Sequence, residues 1–349
     1  MVLGFDVPKS RRLTACQIIL PLWFLHNYPS FLPGKEYLNK LGDAIEDFPI
    51  RTTEMLDEER ARLAQNPEDV RSNILSQLVT ASRDNEKGVM LTDSDLRGNL
   101  FIFTAAGFET TANTLTFAFS MLARYPEWQD WILEEIDSIL SSSDEYVDVF
   151  PKATRVMAFL LETLRIFPPL IHIVKDTVSE VTIEKPESRL WLPKDTTVYV
   201  HVIGLHHEPA VWRNVNLDTD STSVAVQSQD GLEDEQRFRP SRWINPPGSA
   251  HTLFQPPKGS FLPWSAGPRV CPGQKMAQVE FTAAVVTLLR HHRVDPVIPV
   301  GMTREDVNKR LDAQIKDRQS IVTLEMKNVY NIDPTDTEKG LRLQFTKRS

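Results

Sequence analysis

Apolar residues recur at helical spacing through most of the first half of the chain. Between residues 35 and 83 they fall three or four positions apart, which is typical of helices joined by short connectors. A later apolar segment, Leu100 to Leu122, carries a glutamate, an asparagine and several threonines, and therefore predicts a buried helix rather than a membrane span. Prolines mark the start of a helix predicted over Pro126 to Leu140 and the end of one predicted over Ala153 to Phe167.

The second half changes to short β-type runs, at residues 172–175, 181–183 and 196–202. A further helix is predicted from Pro272 to His291. The stretch Leu217 to Gln236 carries six acidic residues and no basic one, so we expect a mobile insertion loop, because it cannot bury enough apolar area to offset its ordering entropy. The pattern predicts a mainly α fold with small β-sheets, in a single domain over residues 1–349.

One apolar run precedes these elements, from Leu13 to Leu25. It is too short to cross a bilayer, which takes about 20 residues, and no small-residue cleavage site of a signal peptide follows it. We therefore expect a buried helix, or one in contact with a membrane surface, and no transmembrane anchor.

The composition of the chain favours one class of ligand and one kind of cellular compartment. The net charge of −8 disfavours a nucleic-acid partner held by bulk charge, so small molecules are the favoured ligands. The only cysteines, Cys16 and Cys271, exclude a disulfide framework and fit a reduced, intracellular setting. Histidine doublets at 206–207 and 291–292 lack accompanying carboxylate or cysteine ligands, and we interpret them as surface or packing residues.

Cys271 lies in the segment with the most chemical information. It follows a turn rich in glycine and proline and precedes a predicted helix, where backbone N–H groups and Arg269 would stabilise a thiolate. Gly267 and Gly273 would let a flat ligand approach the backbone, and Trp264 could shield the sulfur from water. A single thiolate suits haem iron better than zinc or an iron–sulfur cluster. The alternative is an inert core cysteine beside a turn.

Two other segments have less information when each is taken alone. Glu162 and Arg165 are three residues apart on a predicted helix, so they can share a face and form a charge network, although a solvated face can carry the same pair. In the segment Ala106 to Thr111, Gly107 and the neighbouring hydroxyls could distort the helix and open a groove. The alternative there is a polar kink in a core helix.

Together, and in this order, these segments resemble motifs of the cytochrome P-450 family. The haem-binding loop is matched by Trp264, Gly267, Arg269, Cys271 and Gly273, with tryptophan where phenylalanine is more usual. The Glu-x-x-Arg helix is matched by Glu162 and Arg165, and the later Phe-x-Pro-x-Arg-Trp segment by Phe238, Pro240, Arg242 and Trp243. The oxygen-binding stretch of the long central helix is matched by Ala106 to Thr111.

The resemblance implies a role for each matched residue. Cys271 would be the axial ligand of the haem iron, and Arg269 and Lys175 would pair with haem propionates. Thr110 would hydrogen-bond dioxygen or an ordered water, and Glu109 would relay protons. A structural network would support the haem loop through Glu162, Arg165 and Arg242. Residues 171–174 would line the substrate side of the haem.

The resemblance covers the chain from Leu13 to the C-terminus. Upstream of the central helix the chain has about a hundred residues, fewer than members of the family carry, and it lacks their Trp-x-x-x-Arg segment. We therefore expect a cytochrome P-450-like fold without its N-terminal part, in the cytoplasm or at the cytosolic face of the endoplasmic reticulum.

The implied function is a haem-thiolate monooxygenase. It would contain haem b and insert one oxygen atom from O2 into a hydrophobic small molecule of secondary-metabolite or lipid type, with electrons from a separate NADPH-dependent reductase. Two alternatives stay open: a truncated remnant without catalytic competence, and a haem-thiolate isomerase or dehydratase that needs no reductase.

Overall fold

The computed structural model describes most of the chain, namely residues 27, 35–68, 71, 73–83, 91–185, 188–217, 231–320, 323–327 and 342–348. Its contacts divide the chain into two compact units, residues 1–109 and 110–349, with the division inside a long helix. The predicted helix over Leu13 to Leu25 lies outside the described residues, as does the central part of the predicted insertion loop.

The first unit is helical in its described part. It contains α1 (Lys35–Gln65), α2 (Ile74–Arg83) and the first half of α3 (Asp93–Arg124). Thr92 caps α3, because its Oγ1 accepts the N–H of Asp95 at 3.2 Å while the Asp95 carboxylate accepts the N–H of Thr92 at 2.9 Å. Helical spacing brings the apolar faces together in a small core formed by Leu56, Leu63, Val79, Leu96 and Leu100.

The second unit begins with the rest of α3 and contains the helices α4 (Pro126–Leu140), α5 (Tyr146–Val149), α6 (Thr154–Ile166), α7 (Val202–His206), α8 (Pro209–Trp212), α9 (Gln274–Leu289) and α10 (Arg304–Lys316). Its main core joins α3, α4, α6 and α9. Aromatic rings fill the centre: Phe117 stacks on Phe167 at 4.3 Å between ring centroids, and Phe159 meets Phe238 edge-on at 5.7 Å.

The described strands pair antiparallel in two-stranded sheets. The pairs are β1 (His172–Asp176) with β4 (Thr197–His201), β2 (Val181–Lys185) with β3 (Ser188–Leu192), β5 (His292–Pro296) with β8 (Leu343–Lys347), and β6 (Arg318–Ser320) with β7 (Leu324–Met326). The prediction of a mainly α fold with small sheets is confirmed. The sequence pattern missed β3, whose residues show no regular alternation of polar and apolar side chains, and also β5 to β8.

Residues 172–174 open β1, where Ile173 is buried and His172 and Val174 are exposed, and the expected place of residues 171–174 on the substrate side of the haem stays a prediction. One local expectation needs correction. The helix expected to distort at Gly107 is α-helical from Asp93 to Arg124 without interruption.

Within the part of the chain that the structure describes, no helix is long and apolar enough to cross a membrane.

Candidate functional site

The Cys271 loop is a short irregular segment that ends at the start of α9. The N–H of Cys271 donates to the carbonyl oxygen of Trp264 at 2.9 Å, which closes the loop on itself. The turn between them needs a glycine at position 267, whose φ of 81° lies in the left-handed region. A short 3-10 helix, Gly267–Arg269, then leads to Cys271, three residues before α9 begins at Gln274.

The thiol of Cys271 is free and exposed. Gly273 leaves its flank open, since a Cβ at that position would lie 3.8 Å from Sγ. Exposed apolar side chains flank the cysteine in sequence: Val270 is 46% exposed and Met276 is 60% exposed. An accessible sulfur can meet a ligand, and the alternative of an inert core cysteine does not agree with this exposure.

The other predicted cofactor-binding residues are spread around this loop and strand β1. Arg269 is exposed, two residues from Cys271, and Lys175 is exposed on β1. Trp264 is half-buried and packs edge-on against Phe261, with 6.3 Å between ring centroids. The loop is therefore anchored to the core by its aromatic residues, while its charged residues remain available to a ligand.

Glu162 is the centre of a fully buried charge network. Its carboxylate accepts hydrogen bonds from Arg165 at 2.8 and 2.9 Å and from Arg242 at 3.1 Å. The indole N–H of Trp243 donates to the same carboxylate at 2.9 Å, and the backbone N–H of Arg239 donates at 2.7 Å. The three predicted network residues, Glu162, Arg165 and Arg242, thus lie in direct contact.

A second acid completes this network, and sequence reasoning missed it. The carboxylate of Asp234 accepts from Arg239 at 3.0 Å and from Arg242 at 3.2 Å. The neighbouring Glu235 is buried and accepts from Nε of Arg213 at 2.8 Å. The buried Glu162 and the half-buried Asp234 therefore offset part of the positive charge of the buried guanidinium groups around them.

These contacts correct the prediction of a mobile loop over Leu217 to Gln236. Its last residues, Asp234–Gln236, form a 3-10 helix joined to the buried network, whereas residues 218–230 lie outside the described part. Counting acids without bases suggested a solvated segment, but the neutralising arginines come from outside it. The signal available in the sequence was a block of three acids, residues 233–235, followed closely by Arg237, Arg239 and Arg242.

The arginines keep Glu162 ionised despite its burial. Loss of solvation alone would raise its pKa, but the positive charges of Arg165 and Arg242 more than offset that effect and lower the pKa to about 2. The carboxylate is therefore charged over the whole physiological range. In a low-dielectric interior, such a charge stabilises the fold only while its partners remain in place.

His206 is completely buried, so of the two roles expected for the histidine doublets, surface or packing, this residue has the packing role. Nδ1 of its ring lies 3.2 Å from the carbonyl oxygen of Arg165, and Nε2 accepts the N–H of Leu262 at 2.9 Å. Burial lowers its pKa from 6.5 to about 3. The ring is therefore neutral and joins the Glu162 network to the Cys271 loop.

This shift predicts that acid destabilises the folded chain well before Glu162 titrates. Above pH 6.5 the ring of His206 is neutral in both folded and unfolded chains; between pH 6.5 and about 3 only the unfolded chain takes up the proton. We expect the free energy of unfolding to fall by about 1.4 kcal/mol per pH unit through this residue. Urea unfolding at several pH values would measure the slope.

The matched comparison is His206→Gln, which should show a flatter slope between pH 6.5 and 4.5. His251→Gln changes an exposed ring and should keep the slope of the unaltered chain. Equal slopes in all three proteins would show that His206 contributes nothing to the acid sensitivity.

The predicted oxygen-binding stretch lies on α3. Glu109 is buried and Thr110 is half-buried, and the carbonyl oxygen of Thr110 accepts from the hydroxyl of Thr114 at 2.8 Å. Ala106 and Gly107 are exposed, so small residues, rather than a break in the helix, leave room beside this stretch. Thr111 is buried, as expected for a packing hydroxyl.

A groove of about 830 Å³ lies beside the Cys271 loop. Its aromatic and amide lining includes Trp243, Phe254, Phe261, Trp264, Gln274 and Gln278. Cys271 does not line this groove, so a ligand of the thiol would bind elsewhere on the loop.

Comparisons with known proteins agree with this fold and these motifs. The cytochrome P-450 family model matches residues 16–216 and 233–316. Over 319 residues the chain is 40% identical to a phomenoic acid biosynthesis cluster cytochrome P-450 monooxygenase of Leptosphaeria maculans, which covers 88% of this chain. Over 317 residues it is 30% identical to cytochrome P-450 monooxygenase 124 of Postia placenta, again covering 88% of the chain.

A solved cytochrome P-450 structure covers 99% of this chain with a TM-score of 0.64, at 19% sequence identity, and shows the fold. This chain covers 64% of that structure, and it spans 54% of the length of each of the two fungal relatives. With the motifs, the buried network and the family match in agreement, the chain belongs to the cytochrome P-450 family.

Proposed function

We propose that this chain is the thiolate-bearing part of a haem monooxygenase that inserts one oxygen atom from O2 into a hydrophobic small molecule of secondary-metabolite or lipid type. The observation that carries the proposal is an exposed cysteine held at the start of a helix by a loop that a buried charge network supports. The two fungal relatives are both named as monooxygenases, one of them from a biosynthesis cluster, and they support the reaction class.

The residues present fit a haem group. Cys271 offers one accessible thiolate ligand, and the open flank at Gly273 leaves room for a flat ring beside the sulfur. The exposed Arg269 and Lys175 offer positive charge for the propionates, and Trp264 packs behind the loop. When bound, haem with a thiolate ligand supplies the activation of dioxygen, since the thiolate donates electron density that favours O–O cleavage.

Other residues of the chain would orient reactants and move protons. The hydroxyl of Thr110 would hydrogen-bond dioxygen or an ordered water, and the carboxyl group of Glu109 would pass protons from solvent. A positioned acid or hydroxyl typically contributes a factor of about 10²–10⁴ to a proton transfer. Electrons would come from a separate NADPH-dependent reductase.

Labelled dioxygen tests the proposed reaction directly. The haem-loaded chain, mixed with a cytochrome P-450 reductase, NADPH, ¹⁸O2 and a panel of fatty acids and polyketides, should form a product that contains one ¹⁸O atom. Mass spectrometry of the product and the rate of NADPH consumption are the measurements. Thr110→Val should lower product formed per NADPH consumed, whereas Thr111→Val, a change to a neighbouring packing hydroxyl, should leave that ratio unchanged.

Other outcomes point to the alternatives. A chain that takes up no haem would be a remnant without catalytic competence. A haem-loaded chain that converts a substrate without consuming NADPH would be an isomerase or dehydratase.

A further inference from the structure

We propose that His206 is a positioning residue for the Cys271 loop, acting as a hydrogen-bonded bridge between helix α6 and the backbone of the loop. The inference deepens the proposed function, because it identifies a residue that acts on the thiolate ligand through another segment. Its starting observation is the buried ring with both nitrogens at hydrogen-bond distance from backbone groups, the carbonyl of Arg165 and the N–H of Leu262.

The two partners determine the tautomer of the ring. A backbone N–H can only donate, so Nε2 must be the unprotonated nitrogen that accepts from Leu262 at 2.9 Å. The proton therefore resides on Nδ1, which donates to the carbonyl oxygen of Arg165 at 3.2 Å. Both the opposite tautomer and the charged ring would lose the bond to Leu262.

The backbone that holds His206 is itself fixed by the charge network. Nη1 of Arg165 donates to the carbonyl oxygen of His206 at 2.9 Å, while the same arginine binds Glu162. His206 and Arg165 are thus joined twice, once through each side chain. Because both the ring and the backbone of His206 are held by Arg165, the ring has little freedom to follow movements of the Cys271 loop.

From Leu262 the connection reaches the cysteine by backbone contacts. Leu262 is two residues before Trp264, whose carbonyl oxygen accepts the N–H of Cys271 at 2.9 Å. Ring packing adds to this, since His206 lies 4.9 Å from Phe261, centroid to centroid, and Phe261 lies 4.8 Å from Trp243 of the network. His206 therefore connects the buried charge network to the segment that carries the thiol and restrains the movement of that segment.

Two amide variants separate the two bonds of the ring. In His206→Gln the side-chain oxygen can replace Nε2 and accept from Leu262; in His206→Asn the side-chain amide can replace Nδ1 and donate to Arg165. If the bond to Leu262 holds the loop, glutamine preserves it and asparagine does not. His207→Gln is the matched control, because the ring of His207 bonds to Ile203 within the same helix.

Hydrogen exchange of the Leu262 and Cys271 amides is the primary readout and needs no haem. His206→Asn should accelerate exchange of these amides by about tenfold or more, the effect of losing one buried hydrogen bond. His206→Gln and His207→Gln should stay within about threefold of the unaltered chain, while amides of α4 exchange equally in all proteins. Equal loop protection in the asparagine and glutamine variants would overturn the proposal.

Spectroscopy supplies a second readout. In the haem-loaded, reduced and CO-treated protein, the fraction with a thiolate-type Soret band should fall in His206→Asn and be retained in His206→Gln. If no protein, including the unaltered chain, shows that band, the proposed function fails, and the exchange pattern still decides the role of His206. Retention of the full band in His206→Asn would count against positioning of the thiolate.

The tautomer can be tested without any variant. In ¹⁵N-histidine-labelled chain at pH 7, the ring nitrogen shifts of His206 should show a protonated Nδ1 and an unprotonated Nε2. A protonated Nε2, or a doubly protonated ring, would contradict the bridge even if His206→Asn does not fold.

Discussion

Replacing Glu162 by glutamine should lower the free energy of unfolding by about 3–5 kcal/mol, the usual cost of leaving buried charges without their partner. The neutral amide removes the charge that Arg165 and Arg242 share. An NH2 group also replaces one of the two carboxylate oxygens that now accept hydrogen bonds. That group faces N–H donors and cannot accept from them. Since whole domains are stable by only about 5–15 kcal/mol, this loss is a large share of the stability of the fold, and the variant should unfold at a clearly lower urea concentration.

Urea unfolding followed by circular dichroism measures this effect. The matched control is Glu134→Gln, which removes the same charge from an exposed ion pair with Arg155 on the surface. Surface pairs contribute little, so the urea midpoint of the control should not move measurably. Similar midpoints for the two variants would show that the Glu162 network does not support the fold.

Replacing Cys271 by serine should abolish the thiolate-type Soret band of the reduced, CO-treated, haem-loaded chain. A serine hydroxyl does not provide the thiolate that a haem iron requires in this type of site. Cys16→Ser is the control, because it removes the other cysteine and should leave the band intact. Absorbance spectroscopy and haem stoichiometry are the measurements.

Replacing Cys271 by serine should change the free energy of unfolding much less than replacing Glu162 by glutamine. Cys271 is exposed, and exposed substitutions usually change the free energy of unfolding by less than about 0.5 kcal/mol. We therefore expect a chain of nearly unchanged stability without the thiolate-type Soret band for Cys271→Ser, and a chain that unfolds at a clearly lower urea concentration for Glu162→Gln. A Cys271→Ser protein that keeps the band would exclude this cysteine as the ligand and with it the proposed site.

The Glu162 and Cys271 variants should differ in stability because the two side chains lie in different environments. Glu162 is buried among arginines on α6 and on the segment around Arg242, far from solvent, and acts through charge balance. Cys271 projects from a loop and has no comparable packing to lose. His206 lies between the two, which is why we expect it to alter loop order more than global stability.

Local signals in the sequence determined the helices well. Pro126 starts α4, as predicted, and the prolines after Phe167 follow the end of α6 at Ile166. These signals depend on a few neighbouring residues, since proline restricts its own φ and lacks an N–H group. The Cys271 loop was also recognisable from its spacing, because its chemistry lies within a short segment, whereas the Glu-x-x-Arg pair became informative only together with that loop and the Phe-x-Pro-x-Arg-Trp segment.

Only the tertiary structure decided which charges are buried and what neutralises them. Asp234 belonged to a segment that its composition assigned to solvent, yet it lies against Arg239 and Arg242 in the network. His206 was one of two adjacent histidines that the sequence could not distinguish, and only its ring spans Arg165 and Leu262. For Glu162 and His206 the physical reason is distance along the chain: Glu162 binds Arg242, 80 residues away, and His206 meets partners 41 and 56 residues away, which no local pattern specifies. For Asp234 the partners are near in sequence, but their burial depends on the distant Glu162 and the core around it.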